Sequence, residues 1–192
     1  VGPEVQDELE SAIGEVDRLS RLVNGLLALA RADRRAADRA DVDVAAVARE
    51  RGDAWQAVAA ERDVSVEVAA AARMPAHLSP GAMEQVLDNL IANALDVAPA
   101  GTAVRVVVAP GPGGGTRVGG VDAGPGMDAA EREHAFDRFW RGREDHPGSG
   151  LGLAIVRRLV EADGGTVSLH EAPRGGLRAV VDLPPVGVTT AR

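Results

Sequence analysis

Two asparagines, four positions apart, are the first residues of this sequence whose spacing could do chemistry. Residues 83–96 have the apolar spacing of a helix, and Asn89, Asn93 and Asp96 fall on one side of it. Carboxamides on a largely buried helix are costly unless a partner satisfies them. Their oxygens suit a hard cation such as Mg²⁺, which usually also binds water and phosphate. Taken alone, such a pair is more often a surface feature that bonds to nearby backbone.

Two glycine-rich segments could bring the backbone close to a ligand. In the first, Asp122 precedes Gly124 and Gly126 at the end of a predicted strand, where a carboxylate can accept a hydrogen bond from an amine. A plain turn explains this segment at least as well. The second, GSGLG at 148–152, leads into a helix whose first N–H groups suit phosphate. A dinucleotide-binding fold would need a strand directly before it, and the preceding residues are charged and irregular.

The segment 135–142 holds three of the four large aromatic residues of the chain. It also carries Arg138 and Arg141, whose guanidinium groups could reach a phosphate. The aromatic residues could equally form a small separate core. Because lysine does not occur in the chain, a phosphate site must use arginine, backbone N–H groups or a metal, and a Walker loop is excluded.

Composition excludes several other kinds of site. The chain has no cysteine, so disulfides and thiolate metal sites are ruled out. Its net charge of -8 would repel a nucleic acid on average. It has no run of about 18 apolar residues, the length that a membrane-spanning helix needs, so we expect this segment to make no membrane contact.

The N-terminal part of the sequence has the pattern of one long helix. Apolar side chains recur every three or four positions over residues 5–33, and so long a stripe favours partner helices over packing on its own domain. Residues 36–42 are charged and indicate a linker. We therefore expect a helical segment at 1–35, a domain at 43–185 and a tail at 186–192.

Helices alternate with paired strands in the expected domain. The predicted helices run from Asp43, as N-cap, to Glu61, from Ser79-Pro80 to Val97, near 129–138 and over 150–162. The predicted strands are 64–68, 103–109, 116–122, 166–171 and 176–183. This mixture of hairpins and helices favours an α+β fold, a two-layer sandwich with a mixed sheet and helices on one face.

In this order and spacing, the four motifs resemble the catalytic domain of sensor histidine kinases, which has the Bergerat ATP-binding fold of DNA gyrase and MutL. The asparagine helix resembles the N box of that family. Residues 122–126 resemble the G1 box, 136–141 the F box and 148–152 the G2 box. Residues 5–33 resemble the second helix of the family's dimerisation and phosphotransfer hairpin.

The resemblance implies a role for each motif. Asp122 would bond the amino group of adenine, with Gly124 and Gly126 allowing close approach. Asn93 would bind Mg²⁺, and Asn89 would lie beside the phosphates of ATP. The other residues implied at the nucleotide are Asp96, Arg138, Arg141, Gly148, Ser149, Gly150, Leu151 and Gly152, of which Arg141 joins Asn89 and Asn93 as catalytic. Residues 127–149 would form a lid over the triphosphate.

The activity implied is transfer of the γ-phosphoryl group of ATP to a histidine. ATPase relatives have glutamate where Asn89 stands, and an amide cannot act as that base, so transfer is favoured over hydrolysis. The acceptor of the family lies upstream of residue 5, and the four histidines here, His77, His134, His146 and His170, lack its expected neighbours. The resemblance also implies a response regulator as partner, a homodimer through the hairpin helices and a cytoplasmic location.

Three positions depart from the family pattern. Asp96 and Val97 stand where a basic residue and then an aromatic or histidine are common, and Leu177 stands where threonine is common. One alternative is therefore a degenerate module that binds nucleotide, or only dimerises, without kinase activity. Another is an anti-sigma-type serine kinase of the same fold, against which the long N-terminal helix argues.

Overall fold

A computed structural model describes residues 38–70, 73–142, 149–173 and 175–187. The strands are β1 (Ala40–Asp43), β2 (Ser65–Ala70), β3 (Pro75–Leu78), β4 (Ala103–Pro110), β5 (Thr116–Val121), β6 (Thr166–Glu171) and β7 (Leu177–Leu183). The helices are α1 (Val44–Ala60), α2 (Ala82–Leu95), α3 (Ala129–His134) and α4 (Gly152–Ala162). The helix predicted at 5–33 lies outside the described residues. Within the described ranges, no helix combines the length and apolar character that crossing a membrane requires.

The main sheet has five strands in the order β2-β4-β5-β7-β6. The β2–β4 pair is parallel and the other three pairs are antiparallel, so the predicted mixed sheet and its two hairpins are confirmed. Side chains alternate across it: Val104, Val106 and Val108 are buried, whereas Arg105 on the other face is exposed and pairs with Glu67.

Three helices cover one face of this sheet. Helix α2 lies in the middle and packs on both α1 and α4, while α1 packs on β2 and β4. With only four aromatic residues in the chain, the core is aliphatic. Its largest fully buried side chains include Leu78, Met83, Leu87, Ile91, Leu151 and Val156. The predicted two-layer α+β sandwich with helices on one face is therefore confirmed.

A small second sheet pairs β1 with β3 in antiparallel register, and the sequence pattern predicts neither strand. Strand β1 falls mostly within residues 36–42, where we expected a linker. The strand is short and charged, and it is held by a pairing 36 residues away, between His77 and Asp41 at 2.9 Å. Such a contact leaves no periodic signal in a four-residue segment.

The helix boundaries differ from those predicted for reasons that glycine and side-chain bonding explain. Asp43 is the N-cap of α1, as predicted, and its Oδ1 accepts from Ala45 N–H at 3.2 Å. Ser79 is not the N-cap of α2, because its hydroxyl donates instead to Asp163 at 2.7 Å. The helix begins after Gly81, which has φ 73°, and ends at Leu95 rather than Val97.

Positive φ values account for the shorter helices on either side of the aromatic segment. Helix α4 begins at Gly152 rather than at Gly150, which has φ 67° and so cannot belong to the helix. Helix α3 ends at His134, ahead of the predicted 138, and Phe139 has φ 65°.

Candidate functional site

A cavity of about 490 Å³ lies beside α2. One wall is the exposed side of α2, and the opposite wall comes from the ends of β5 and β7. Segment 125–142 and the glycine turn at the start of α4 enclose the rest. A cleft of this size, with a few polar groups converging on it, is the usual form of a small-molecule site.

Helix α2 presents the predicted polar residues Asn89, Asn93 and Asp96 to this cavity, while Leu87 and Ile91 on its other side are buried in the core. The Nδ2 of Asn89 donates to the carbonyl of Gln85 at 2.7 Å, which fixes the orientation of that carboxamide. The helical spacing therefore brings both carboxamides to one surface, as predicted.

Gly152, the first residue of α4, lies directly against these two carboxamides. A Cβ at Gly152 would be 2.9 Å from Oδ1 of Asn93 and 3.3 Å from Oδ1 of Asn89. No side chain fits there without displacing the amides. The N-terminus of α4, with its unpaired N–H groups and positive dipole end, thus faces the two asparagines at close range.

Asp122 closes the opposite end of the cavity, immediately after β5. Its carboxyl is 8% exposed, and its Oδ1 accepts from the N–H groups of Gly124 at 2.8 Å and Leu177 at 3.1 Å. Burial raises the pKa of this carboxyl, and the two backbone N–H groups only partly oppose the rise. Asp122 is therefore a buried acid held in a fixed orientation beside an open space.

Glycine is required where the chain passes Asp122. A Cβ at Gly176, which has φ 87°, would come within 2.2 Å of the carbonyl oxygen of Asp122. Gly126 has φ 73° and lines the cavity. Gly124 does not line it, and its Cα hydrogens face Val97, whose Cγ2 would be 2.8 Å from a Cβ there.

The aromatic segment and the glycine turn are joined by a hydrogen bond from Phe139 N–H to the carbonyl of Gly150 at 2.9 Å. Arg141 and Trp140 line the cavity, whereas Arg138 is exposed and does not. Phe139 points outward and is 61% exposed.

In the glycine turn itself, Ser149, Gly150 and Gly152 line the cavity. The side chain of Leu151 is buried in the core, and its N–H donates to Ser149 Oγ at 3.3 Å, so only its backbone is near the turn's inner surface. Gly148 lies outside the described residues.

Three lining residues, Trp55, Gln85 and Asp88, escaped the sequence analysis. Trp55 Nε1 and Arg51 Nε, both from α1, donate to the same Oδ1 of Asp88, at 2.8 and 2.7 Å. The only hint in the sequence is the position of Asp88 and Gln85 next to Asn89 on one helix. Contact with α1 depends on how the two helices align, which spacing within either helix does not reveal.

Comparison with known proteins agrees with this arrangement. The profile described as histidine kinase-, DNA gyrase B- and HSP90-like ATPase matches residues 79–187. The sensor protein IrlS of Burkholderia pseudomallei is 35% identical over 176 residues, which cover 88% of this chain and 37% of IrlS. The chain spans well under half the length of the curated relatives it matches.

Two solved structures share the fold at similar identity. Full-length ShkA in complex with AMPPNP has a TM-score of 0.77 and 28% identity, covering 96% of this chain and 39% of ShkA. The mycobacterial sensor histidine kinase MprB has a TM-score of 0.68 and 27% identity, covering 76% of this chain and 97% of the MprB structure. The chain therefore belongs to the histidine kinase-, DNA gyrase B- and HSP90-like ATPase family, and its catalytic domain is of the kind that sensor histidine kinases carry.

Proposed function

We propose that this domain binds ATP with Mg²⁺ in the cavity beside α2 and transfers the γ-phosphoryl group to a histidine of the sensor kinase to which it belongs. One observation carries the proposal: two carboxamides contact the N-terminal glycine of α4 at one end of the cavity, and a buried carboxylate closes the other end. Polar groups for a polyphosphate and for a purine amine are thus separated along one cleft.

At the purine end, Asp122 would accept a hydrogen bond from the amino group of adenine. Its Oδ1 already accepts two backbone N–H groups, so Oδ2 is the oxygen offered to the ligand. Gly126 would let the purine approach the backbone closely. Guanine carries a carbonyl where adenine carries its amine, so a carboxylate here favours adenine.

At the phosphate end, the N–H groups of Gly152 and the turn before it would bind phosphate oxygens, helped by the dipole of α4. The carboxamide of Asn93 fits a metal role, because it makes no hydrogen bond to any of the described residues and its oxygen is a hard donor. Bound there with phosphate oxygens, Mg²⁺ would supply charge neutralisation for the transferring group.

Transfer would rest on positioning and charge stabilisation. Arg141 lines the cavity and would stabilise charge on the phosphates. Asn89, whose amide is bonded to the Gln85 carbonyl, has no basic atom with which to activate water, which favours transfer to a histidine over hydrolysis.

Relatives support the wider setting of this activity. Similar proteins are named as sensor proteins or sensor-type histidine kinases. On that basis we infer a response regulator as the downstream partner, dimerisation through hairpin helices and a cytoplasmic position for this domain. The segment 1–35, which would contribute to the hairpin, lies outside the described residues.

Phosphoryl transfer in trans tests the proposal. The chain is mixed with a fragment of its kinase that carries the upstream histidine, and acid-labile label from γ-labelled ATP and Mg²⁺ is measured. Asn93→Ala should lower labelling and Mg²⁺-dependent ATP affinity by about tenfold or more, the loss expected for one interaction with a charged partner. Ser168→Ala is the control, since its hydroxyl contacts only His170 on β6, away from the cavity.

The outcomes separate the alternatives. ATP binding without labelling of the histidine would overturn the kinase proposal and favour a binding module. Labelling of serine on a partner protein would favour the anti-sigma-type kinase. Failure of the parent chain to bind ATP would end all three nucleotide-based proposals.

A further inference from the structure

The end of α2 places an acid in the cavity that the proposed function assigns to a polyphosphate. Asp96 follows the last residue of α2, lines the cavity and has a side chain that is 17% exposed. Among the lining residues, it lies one helical turn beyond Asn93 on the same surface.

Two close contacts locate Asp96 along the cleft. On one side of it, Asn93 lies against Gly152 at the phosphate end, where a Cβ would be 2.9 Å from the amide oxygen. On the other side, Val97 lies against Gly124, where a Cβ would be 2.8 Å from Cγ2. Gly124 in turn is bonded to the purine-binding Asp122. Asp96 therefore lies between the two ends, where the phosphates nearest the nucleoside would pass.

A carboxylate at this point opposes a polyanion unless a cation offsets it. Two like charges a few ångströms apart at the edge of a protein interact by several kcal/mol at an effective dielectric constant near 20. Such repulsion would fall on ATP and not on the uncharged nucleoside.

Arg62 supplies the offsetting charge. Its Nη1 donates to Oδ1 of Asp96 at 3.0 Å, from the turn that ends α1. The backbone of that turn is fixed by the bond from Arg62 N–H to the Ala59 carbonyl at 3.0 Å. The guanidinium is 47% exposed, so it stands at the rim and leaves the cavity open.

We propose that Arg62 is a positioning residue of the nucleotide site: it neutralises Asp96 and holds that carboxylate away from the phosphates of ATP. The inference rests on the proposed function and adds a residue from α1 to a site otherwise built from α2, α4 and the strand ends. Arg62 acts through Asp96 and does not itself bind the nucleotide.

A double-mutant comparison with two ligands tests this role. Dissociation constants for ATP with Mg²⁺ and for adenosine are measured by calorimetry in Arg62→Ala, Asp96→Asn and the double variant. Arg62→Ala should weaken ATP binding about three- to tenfold at low salt and less at high salt, because the exposed charge is screened. Adenosine affinity should stay unchanged, and adding Asp96→Asn should restore ATP affinity.

Arg105→Ala is the matched control, since it removes the same charge from an exposed ion pair with Glu67 at 2.8 Å on the other face of the sheet. An equal loss for ATP and adenosine in Arg62→Ala, or no rescue by Asp96→Asn, would indicate a merely structural role and overturn the inference. Unchanged ATP affinity in Arg62→Ala would do the same. If the parent chain binds no ATP, the proposed function fails first and this inference fails with it.

Discussion

Asp122 sets a need of the binding site against the stability of the fold. Its carboxyl is 8% exposed, and burial raises its pKa above the ordinary value of 3.8. Between those two values the folded chain binds more protons than the unfolded chain. The contribution of this group to stability is thus full below the ordinary value and is lost as the pH rises through the raised one.

Asp122→Asn should therefore raise the melting temperature of the ligand-free protein at neutral pH. The asparagine Oδ1 can still accept from Gly124 and Leu177, so the backbone bonds survive while the buried charge is removed. Thermal unfolding followed by circular dichroism should show the gain at pH 7 and show it vanishing below about pH 4. A melting temperature that falls at neutral pH would contradict this account.

The same substitution should weaken ATP binding by about tenfold or more, the cost of replacing a charged acceptor with a neutral one. In the parent chain, ATP affinity should decline as the pH falls into the raised pKa range of Asp122, because the protonated acid is a poorer acceptor. Calorimetric titrations at several pH values check both points. Affinity that is flat with pH in the parent would argue against Asp122 as the adenine partner.

At the scale of single elements, Asp43 joins a helix start to the small sheet. Its Oδ1 caps α1 through Ala45 N–H and also accepts from Met74 N–H at 3.0 Å, beside β3. The Met74 bond is the main reason that the pKa of Asp43 is lowered. Stability from this carboxylate is therefore present above the ordinary aspartate range and is lost as the pH falls through the lowered pKa.

Asp43→Ala should lower the free energy of unfolding by about 1–2 kcal/mol at neutral pH, the usual cost of a lost N-cap. Urea denaturation at pH 7 measures the loss, and the gap from the parent should narrow in acid. Asp38→Ala, an exposed position just before β1, serves as the control and should change little. Equal effects of the two variants would show that the cap contributes nothing specific.

The sequence predicted elements whose signal is local and missed those held by distant partners. Helix α2 and the hairpin strands β4 and β5 were predicted because periodicity and glycine turns mark them directly. Ser79 was taken for a cap because its type and the following proline favour one, yet its hydroxyl bonds Asp163, 84 residues away. In the site, the types of Asn93 and Asp122 were enough, whereas Arg62 and Trp55 depend on the alignment of α1 with α2.

At the scale of the whole molecule, Asp163 links three segments that are far apart in the sequence. It is 3% exposed, its Oδ2 accepts from Ser79 N–H at 3.0 Å, and Arg39 Nε lies 3.1 Å from its Oδ1. The guanidinium of Arg39 also donates to the carbonyl of Ala162. One buried acid thus connects the segment before β1, the loop before α2 and the end of α4.

Asp163→Ala should destabilise the fold by about 2 kcal/mol or more, because the donors of Ser79 lose their acceptor in a buried place. Asp182→Ala is the matched control, since it breaks an exposed pair with Arg117 at 2.6 Å, and exposed ion pairs contribute little. Chemical denaturation compares the two variants. Similar losses would mean that Asp163 behaves as a surface acid despite its burial.

Both tryptophans of the chain, Trp55 and Trp140, line the cavity, and the chain has no tyrosine. One comes from α1 and the other from the aromatic segment, so they face the cleft from separate elements. Ultraviolet emission excited in the indole band therefore originates entirely at the walls of this cleft. The protein carries its own optical reporter of occupancy, one that needs no dye and receives no background signal from the core.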